Sequence, residues 1–298
     1  MLLTLRQIEF FVTVGQFGSV SKAADKLCVT QAAVSMAINE IENVLGKKLF
    51  DRVGRRIVLN EYGRDLFPKA VSILNRLSEF EDYLINEDNL RGKLIIGATR
   101  TVGNYILPIY LRTFIKNYPE IKIELIINNT CHITRLVENY ELDVALIEGY
   151  CDSIKVDKTF WRKDRMFIFS SPKNSLCEKK IVTPNELESE KWVLREKGSG
   201  TREIFERAVL NKVNHLNIVA EIGSLEAIKE TVEETEFISC MSIEAIKKEI
   251  NNKTLEILNT PWLSINRDLH ILTNKVKNRN RLLNAFIAFI MGLDLAKV

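Results

Sequence analysis

Gln31, Ser35 and Asn39 recur at intervals of four, with Ala32 and Met36 beside them, so all five fall on one face of a helix. These side chains are polar or small and carry no charge, which suits the edges of base pairs. Gln31 can pair its amide with an adenine, and Ala32 can touch a thymine methyl. Ser21 and Thr30 offer hydroxyls just before that face. Arg52, Arg55 and Arg56 follow it, together with Lys47 and Lys48 and against a single Asp51, a cluster suited to phosphates. A second chemistry sits in Arg195-Glu196-Lys197-Gly198-Ser199-Gly200-Thr201-Arg202. Two glycines permit a tight turn of exposed amides, Ser199 and Thr201 add hydroxyls, and Arg202 adds a cation. That combination can cradle a carboxylate, sulfate or phosphate, although Ser199 or Thr201 can equally serve only to cap a helix.

The elements that must hold these residues are legible around them. Ser19, Ser21, Ala23 and Ala24 open a short helix closed by Leu27, Cys28-Val29-Thr30 turn the chain, and Gln31 begins a second helix. Val34, Ile38, Ile41 and Leu45 give that second helix an apolar stripe opposite its polar face. Two short helices packed through alanines form a helix-turn-helix, whose second helix enters a major groove. Leu49 to Leu59, with Gly54 at its turn, reads as a hairpin wing carrying the arginines to phosphates or a minor groove. From about Asn60 to Asp88 one long helix carries Leu59, Gly63, Leu66, Ala70, Ile73, Leu77, Phe80 and Leu84 in steps of four and three. This seam can pack on its own domain. Its place between two domains favours pairing with a second copy through Leu66, Ile73, Leu77, Phe80 and Leu84, which sets two recognition helices on paired half-sites of double-stranded DNA.

Beyond Arg91-Gly92 strands and helices alternate. Strand runs at Lys93–Gly97, Ile121–Ile127 and Asp143–Ile147 are separated by helices at about Gly103–Asn117 and Ile133–Tyr140. The repetition implies a parallel sheet covered on both faces. A second unit starts near Met166 and runs to about Ser264, and a strand at Leu269–Leu272 and a helix at Arg279–Gly292 close the chain. Ligands of open α/β sheets lie beyond the carboxyl ends of strands. That rule selects Thr99, Arg100 and Thr101 after the first strand, Thr130 after the second, the turn bearing Ser199, Thr201 and Arg202, and Ser224. Asp143 and Glu148 flank a strand end and read as a solvated turn and a cap.

Composition narrows the function classes. At 298 residues and 46% apolar the chain is long enough for about two domains. Net charge is only +3, because Glu79, Glu81, Asp82, Glu87 and Asp88 offset the local basic cluster. The N-terminus lacks the apolar core of a signal peptide, and no run approaches a membrane span, so a cytoplasmic protein without a membrane partner is expected. Five scattered cysteines without C-x-x-C spacing suggest reduced thiols, and neither they nor three unclustered histidines form a metal set. No constellation of acid, base and nucleophile is present: Ser199 lies in G-S-G, and no histidine is tied to it. An enzyme is therefore not expected, and no cofactor beyond a small-molecule effector. A solute-binding protein would need export and no DNA-reading segment.

One continuous segment carries a family resemblance. Ser21, Ala23, Ala24, Leu27, Thr30, Gln31, Ala33, Ser35, Ile38, Ile41, Glu42, Leu45, Gly46, Leu49, Phe50, Arg52 and Arg55 fill the signature of the LysR-type transcriptional regulators. Asn60-Glu61-Tyr62-Gly63 continues the match, and the order of later segments extends it over the whole chain. The resemblance implies a winged helix-turn-helix at 1–60, a linker and dimerisation helix at 61–90, and an effector-binding domain at 91–298. It also implies two Rossmann-like α/β subdomains of periplasmic-binding-protein type, one at about 91–163 plus 267–298 and the other at about 164–266. A dimer, a homotetramer and RNA polymerase are the protein partners it suggests, with closure of the cleft changing how paired dimers hold DNA. The R-E-x-G-S-G-T-R segment resembles the branch that regulates carbon fixation and sulfur assimilation, whose effectors are small anions. The chain departs from the family's V-x-x-G-x-G-I at Thr235 and Phe237, where Phe237 either fills core volume or narrows the cleft. Within the same family, a thiol-based redox sensor is the alternative. It requires Cys177 or Cys240 to be exposed and low in pKa.

Overall fold

The computed structural model describes residues 3–54, 56–85, 90–210, 212–277 and 279–292. The chain opens with helices α1 (Leu5–Phe17), α2 (Val20–Leu27) and α3 (Gln31–Leu45), strands β1 (Phe50–Val53) and β2 (Arg56–Leu59), and the long helix α4 (Glu61–Ile85). It continues through β3 (Gly92–Thr99), α5 (Leu107–Asn117), β4 (Ile121–Asn128), α6 (Thr130–Glu138), β5 (Val144–Glu148) and β6 (Val156–Ser170). Then come α7 (Pro184–Ser189), β7 (Lys191–Leu194), α8 (Gly200–Val209), β8 (Asn217–Glu221), α9 (Leu225–Glu233) and β9 (Ile238–Ser242). The last elements are α10 (Ile243–Asn252), β10 (Glu256–Ile257), β11 (Ile265–Asn274) and α11 (Arg281–Ile290).

Local chemistry sets the first three helices. Thr4, Ser19 and Thr30 each cap a helix by accepting a backbone N–H, and Gly18, Cys28 and Gly46 end them in the left-handed conformation. Ala23 and Ala24 are buried, which lets α2 lie close on α1 and α3, and Phe11, Val34, Ile38 and Ile41 fill the shared core. Leu45, read as the end of the stripe, is exposed one residue before the Gly46 cap. β1 and β2 pair antiparallel from Phe50↔Leu59 to Val53↔Arg56, forming the wing. Glu42 anchors the wing's start: buried in α3, it accepts from Leu49 N at 2.9 Å and from Lys48 Nζ at 2.6 Å.

α4 divides the expected seam in two. Phe67, Ala70 and Val71 are buried in the core of the first three helices, and Leu66 packs against that core from its edge. Leu66 thus gives part of its surface to the core of its own domain, because α4 starts beside the wing and must cover that domain. A Cβ on Gly63 would collide with the Leu49 carbonyl, so α4 meets the wing backbone directly. Further along, Ile73 and Phe80 remain 44% and 58% exposed, and Leu77 is half-buried. The side chain of Leu84 lies outside the described residues.

The rest of the chain forms one nine-stranded sheet, ordered β4-β3-β5-β11-β6-β9-β7-β8, with β10 pairing β6. β3 runs parallel to β4 and β5, and β7 runs parallel to β8 and β9. The two parallel units are joined by β6 and β11, which pair antiparallel along their length. These joining strands are longer than periodicity suggested. The first half of β6 carries a run of exposed residues and the first half of β11 alternates buried and exposed, so no continuous apolar run announces them. The helix expected to start at Gly103 begins as a π-helical turn, Val102–Ile106, before α5. Phe237 packs against the core cluster of Phe169, Val193, Leu225 and Ile228, so it fills core volume.

Candidate functional site

The residues expected to face DNA are exposed on the first domain. Gln31, Ala32, Ser35, Met36 and Asn39 are all exposed on α3, Met36 at 64%. Gln31 Nε2 donates to Ser21 Oγ at 3.0 Å, which fixes the amide across the helix-turn-helix joint. Thr30 accepts from Ala33 N at 3.2 Å as the α3 cap. Arg52 and Arg56 are exposed on the wing, while Arg55 lies outside the described residues.

The second site lies where the ends of β3, β5 and β7 meet the first turns of α6, α8 and α9. Glu148, at the end of β5, is its floor. It is 1% exposed, which corrects the solvated cap expected from sequence. Thr99 Oγ1 donates to the Glu148 carboxylate and accepts from Glu148 N at 3.2 Å. Thr201 Oγ1 lies 3.4 Å from Glu148 Oε1 and accepts from Arg267 Nη1 at 2.9 Å. Thr130 Oγ1 donates to the Glu148 carbonyl at 2.8 Å and accepts from Gly200 N at 3.1 Å, stitching the two parallel units together. At Gly149, with φ of +95°, an added Cβ would stand 2.6 Å from Gly200 Cα, so only glycine allows this approach. Asp143, the other residue read as solvated, accepts from Ile95 N at 2.7 Å and pairs with Lys277 Nζ at 2.7 Å.

The cations fall differently from the expected arrangement. Arg202 is buried and committed, pairing with Glu206 and Glu221 at 2.7 and 2.8 Å and donating to the Arg195 carbonyl at 3.0 Å. It braces the turn, so its assignment to the ligand is corrected. Arg195, from the same segment, is the cation of the site: 2% exposed, it forks onto Glu196 through Nε at 2.8 Å and Nη2 at 3.0 Å, with Nη1 unpartnered. Arg100 faces Glu196 from the opposite wall at 3.9 Å, and its buried Nε makes no hydrogen bond. Thr101 Oγ1 is likewise buried without a partner. Ser199 and Ser224 cap α8 and α9, accepting from Arg202 N and Ala227 N. Capping is thus real at both serines, and Ser199 is buried in doing so. A sequence signal for Arg195 existed, since it opens the same R-E-x-G-S-G-T-R segment. The direction of its side chain is set by the end of β7, which sequence does not give.

The thiol requirement is not met. Cys177 is half-buried, and burial first, then Glu256 and Glu178, push its thiol up to about 11. Cys240 is buried, and burial raises it further still. A thiol held above its ordinary value is a poor nucleophile at neutral pH, so neither residue suits a redox switch. Among the described residues no helix is long and apolar enough to cross a membrane.

Comparison with known proteins covers both halves. Residues 5–64 match the family described as bacterial regulatory helix-turn-helix protein, lysR family, and residues 87–293 match the LysR substrate binding domain. The HTH-type transcriptional regulator YeiE of Escherichia coli K12 is 36% identical over 289 residues, 97% of each chain. The RuBisCO operon transcriptional regulator of Allochromatium vinosum is 26% identical, covering 98% of this chain and 97% of its own. Among solved structures, full-length OxyR from Pseudomonas aeruginosa superposes with a TM-score of 0.77 at 20% identity, over 99% of this chain and 97% of that one.

Proposed function

From the premise that the chain belongs to the LysR family of transcriptional regulators, we propose that the effector tuning its DNA binding is a small anion held beneath Arg100 and Arg195. The family assignment makes it a DNA-binding regulator with an effector domain, not an enzyme. The observation that carries the anionic reading is a pair of unpartnered buried donors about Glu196, Arg100 Nε and Arg195 Nη1, with Thr101 Oγ1 also unpartnered one residue beyond Arg100. Buried donors are costly to leave unmade, by ~1–3 kcal/mol each. They come from both walls, so one ligand can satisfy them together. The N-termini of α6, α8 and α9 converge there and add their dipoles.

The test uses the full chain titrated with sulfate, phosphate and small carboxylates at constant ionic strength, followed by calorimetry. At least one class is expected to bind saturably, and Arg100→Ala to weaken it roughly tenfold, the loss of one charge-assisted hydrogen bond of ~1.5–3 kcal/mol. Equal binding of neutral analogues, or an Arg100→Ala protein that binds unchanged, would remove the anionic reading.

We further infer that operator recognition uses paired half-sites, read by Gln31, Ala32, Ser35, Met36 and Asn39 of two copies, with Ser21, Thr30, Arg52, Arg55 and Arg56 on phosphates. The exposed Ile73 and Phe80 and the half-buried Leu77 of α4 support a dimer through this helix. Association of two dimers into a tetramer and contact with RNA polymerase extend the same proposal. Leu77→Glu is expected to reduce the mass seen by light scattering at micromolar protein by at least half, because two carboxylates would then face each other in the seam. An unaltered mass would place the dimer contact elsewhere.

A further inference from the structure

Glu196 occupies the place that the proposed effector would take. Its carboxylate receives the forked guanidinium of Arg195 at 2.8 and 3.0 Å, the geometry by which arginine grips a free carboxylate or oxyanion. Asn129 Nδ2 reaches it at 3.4 Å from the α6 cap, and Arg100 Nε stands 3.9 Å away at the end of β3. Arg195 belongs to one wall, whereas Asn129 and Arg100 belong to the other. One side chain of the protein therefore gathers the donors of both.

We propose that Glu196 is a tethered competitor for the effector: its carboxylate fills the anion position in the unliganded protein and must be displaced for a free anion to bind. This rests on the anionic reading above. It deepens that reading by naming what sets the charge and the threshold of the ligand. A neutral compound gains little by entering, because it would leave Arg195 without its counter-charge. An anion replaces one carboxylate by another group of equal charge and satisfies the unpartnered Arg195 Nη1 and Arg100 Nε as well. Burial works most strongly to raise the Glu196 carboxyl, but Arg195, its own backbone N–H and Asn129 together hold it below the usual carboxylate range, so the competitor stays charged at neutral pH. Displacement would also break the Asn129 and Arg100 contacts that now hold the walls together through this carboxylate. Ligand entry is thereby coupled to the spacing of the walls.

The test compares wild type, Glu196→Gln and Glu196→Ala, each as the full chain, by calorimetric titration with sulfate and with phosphate at constant ionic strength. Circular dichroism checks that all three fold. Both substitutions are expected to tighten binding of at least one of these anions by tenfold or more, and adding Arg100→Ala to Glu196→Gln is expected to reverse most of that gain. An anion that binds wild type and binds both Glu196 variants equally or more weakly overturns the competitor and leaves the anionic site standing. It would make Glu196 a support for the ligand instead. Absence of saturable binding of both probes in all three proteins overturns the competitor and counts against the anionic site as well.

Discussion

Ser35→Glu is expected to lower affinity for the specific operator by about a hundredfold while leaving the helix-turn-helix folded. Ser35 is exposed at the centre of the α3 face, flanked by Gln31, Ala32, Met36 and Asn39, and makes no hydrogen bond to another part of the domain among the described residues. The buried residues of α3 lie on the opposite side, at Val34, Ala37, Ile38 and Ile41. A carboxylate at Ser35 would face base edges and phosphates in the groove. Losing one good base contact is worth ~1–3 kcal/mol of discrimination, and the added charge repels the backbone. Together they approach the ~2.7 kcal/mol that a hundredfold represents. Fluorescence anisotropy with an operator fragment at fixed salt gives the affinity, and far-ultraviolet circular dichroism the helix content. An affinity within threefold of wild type would take Ser35 out of the groove. A loss of equal size on non-specific DNA would assign it to phosphates.

The face bearing Ser35 was legible because everything that makes it is local. Caps at Ser19 and Thr30, small residues at Ala23 and Ala24, and a stripe at Val34, Ile38 and Ile41 all act within a few turns of one another. The wing follows from the alternation either side of Gly54. The effector site was legible only in its backbone. Strand ends and helix starts were legible from periodicity, and so was the choice of the residues nearest them as candidates. Their roles were not, because partners lie far along the chain. Glu148 is buried by Thr99, which is 49 residues away, and Thr201, which is 53 residues away. Nothing near Glu148 in sequence signals that. Arg195 and Arg202 are both arginines of one motif, and only the turn between β7 and α8 decides which one meets Glu196 and which meets Glu206 and Glu221. In the same way, periodicity finds the apolar stripe of α4 but does not say which body covers it, and at Leu66 the domain's own core covers part of it.

The joint between the two parallel units holds the other large expected effect. Asp164 of β6 and Arg267 of β11 are opposite one another in the ladder, and their side chains are 2% and 0% exposed. Asp164 Oδ2 accepts from Arg267 Nε at 2.7 Å, and its Oδ1 accepts from Ser242 Oγ at 2.9 Å and Arg165 N at 2.8 Å. Arg267 in turn donates to Thr201, whose hydroxyl stands beside Glu148, while its Nη2 has no partner. Asp164→Ala would leave a guanidinium buried without its counter-ion and deprive Ser242 and Arg165 N of an acceptor. A broken buried pair costs ~3–5 kcal/mol, which is expected as a lowered midpoint of the effector-domain transition in urea. Replacing both partners by apolar residues, Asp164→Leu with Arg267→Met, is expected to recover most of that loss, because neither a charge nor its desolvation then remains. The two variants separate stability from positioning. If the apolar pair restores the midpoint but anion binding stays weak, the ion pair serves to aim Thr201 and Glu148 at the cleft. If Asp164→Ala shifts the midpoint by less than about 1 kcal/mol, water reaches this joint, and the crossing strands are looser than their packing indicates.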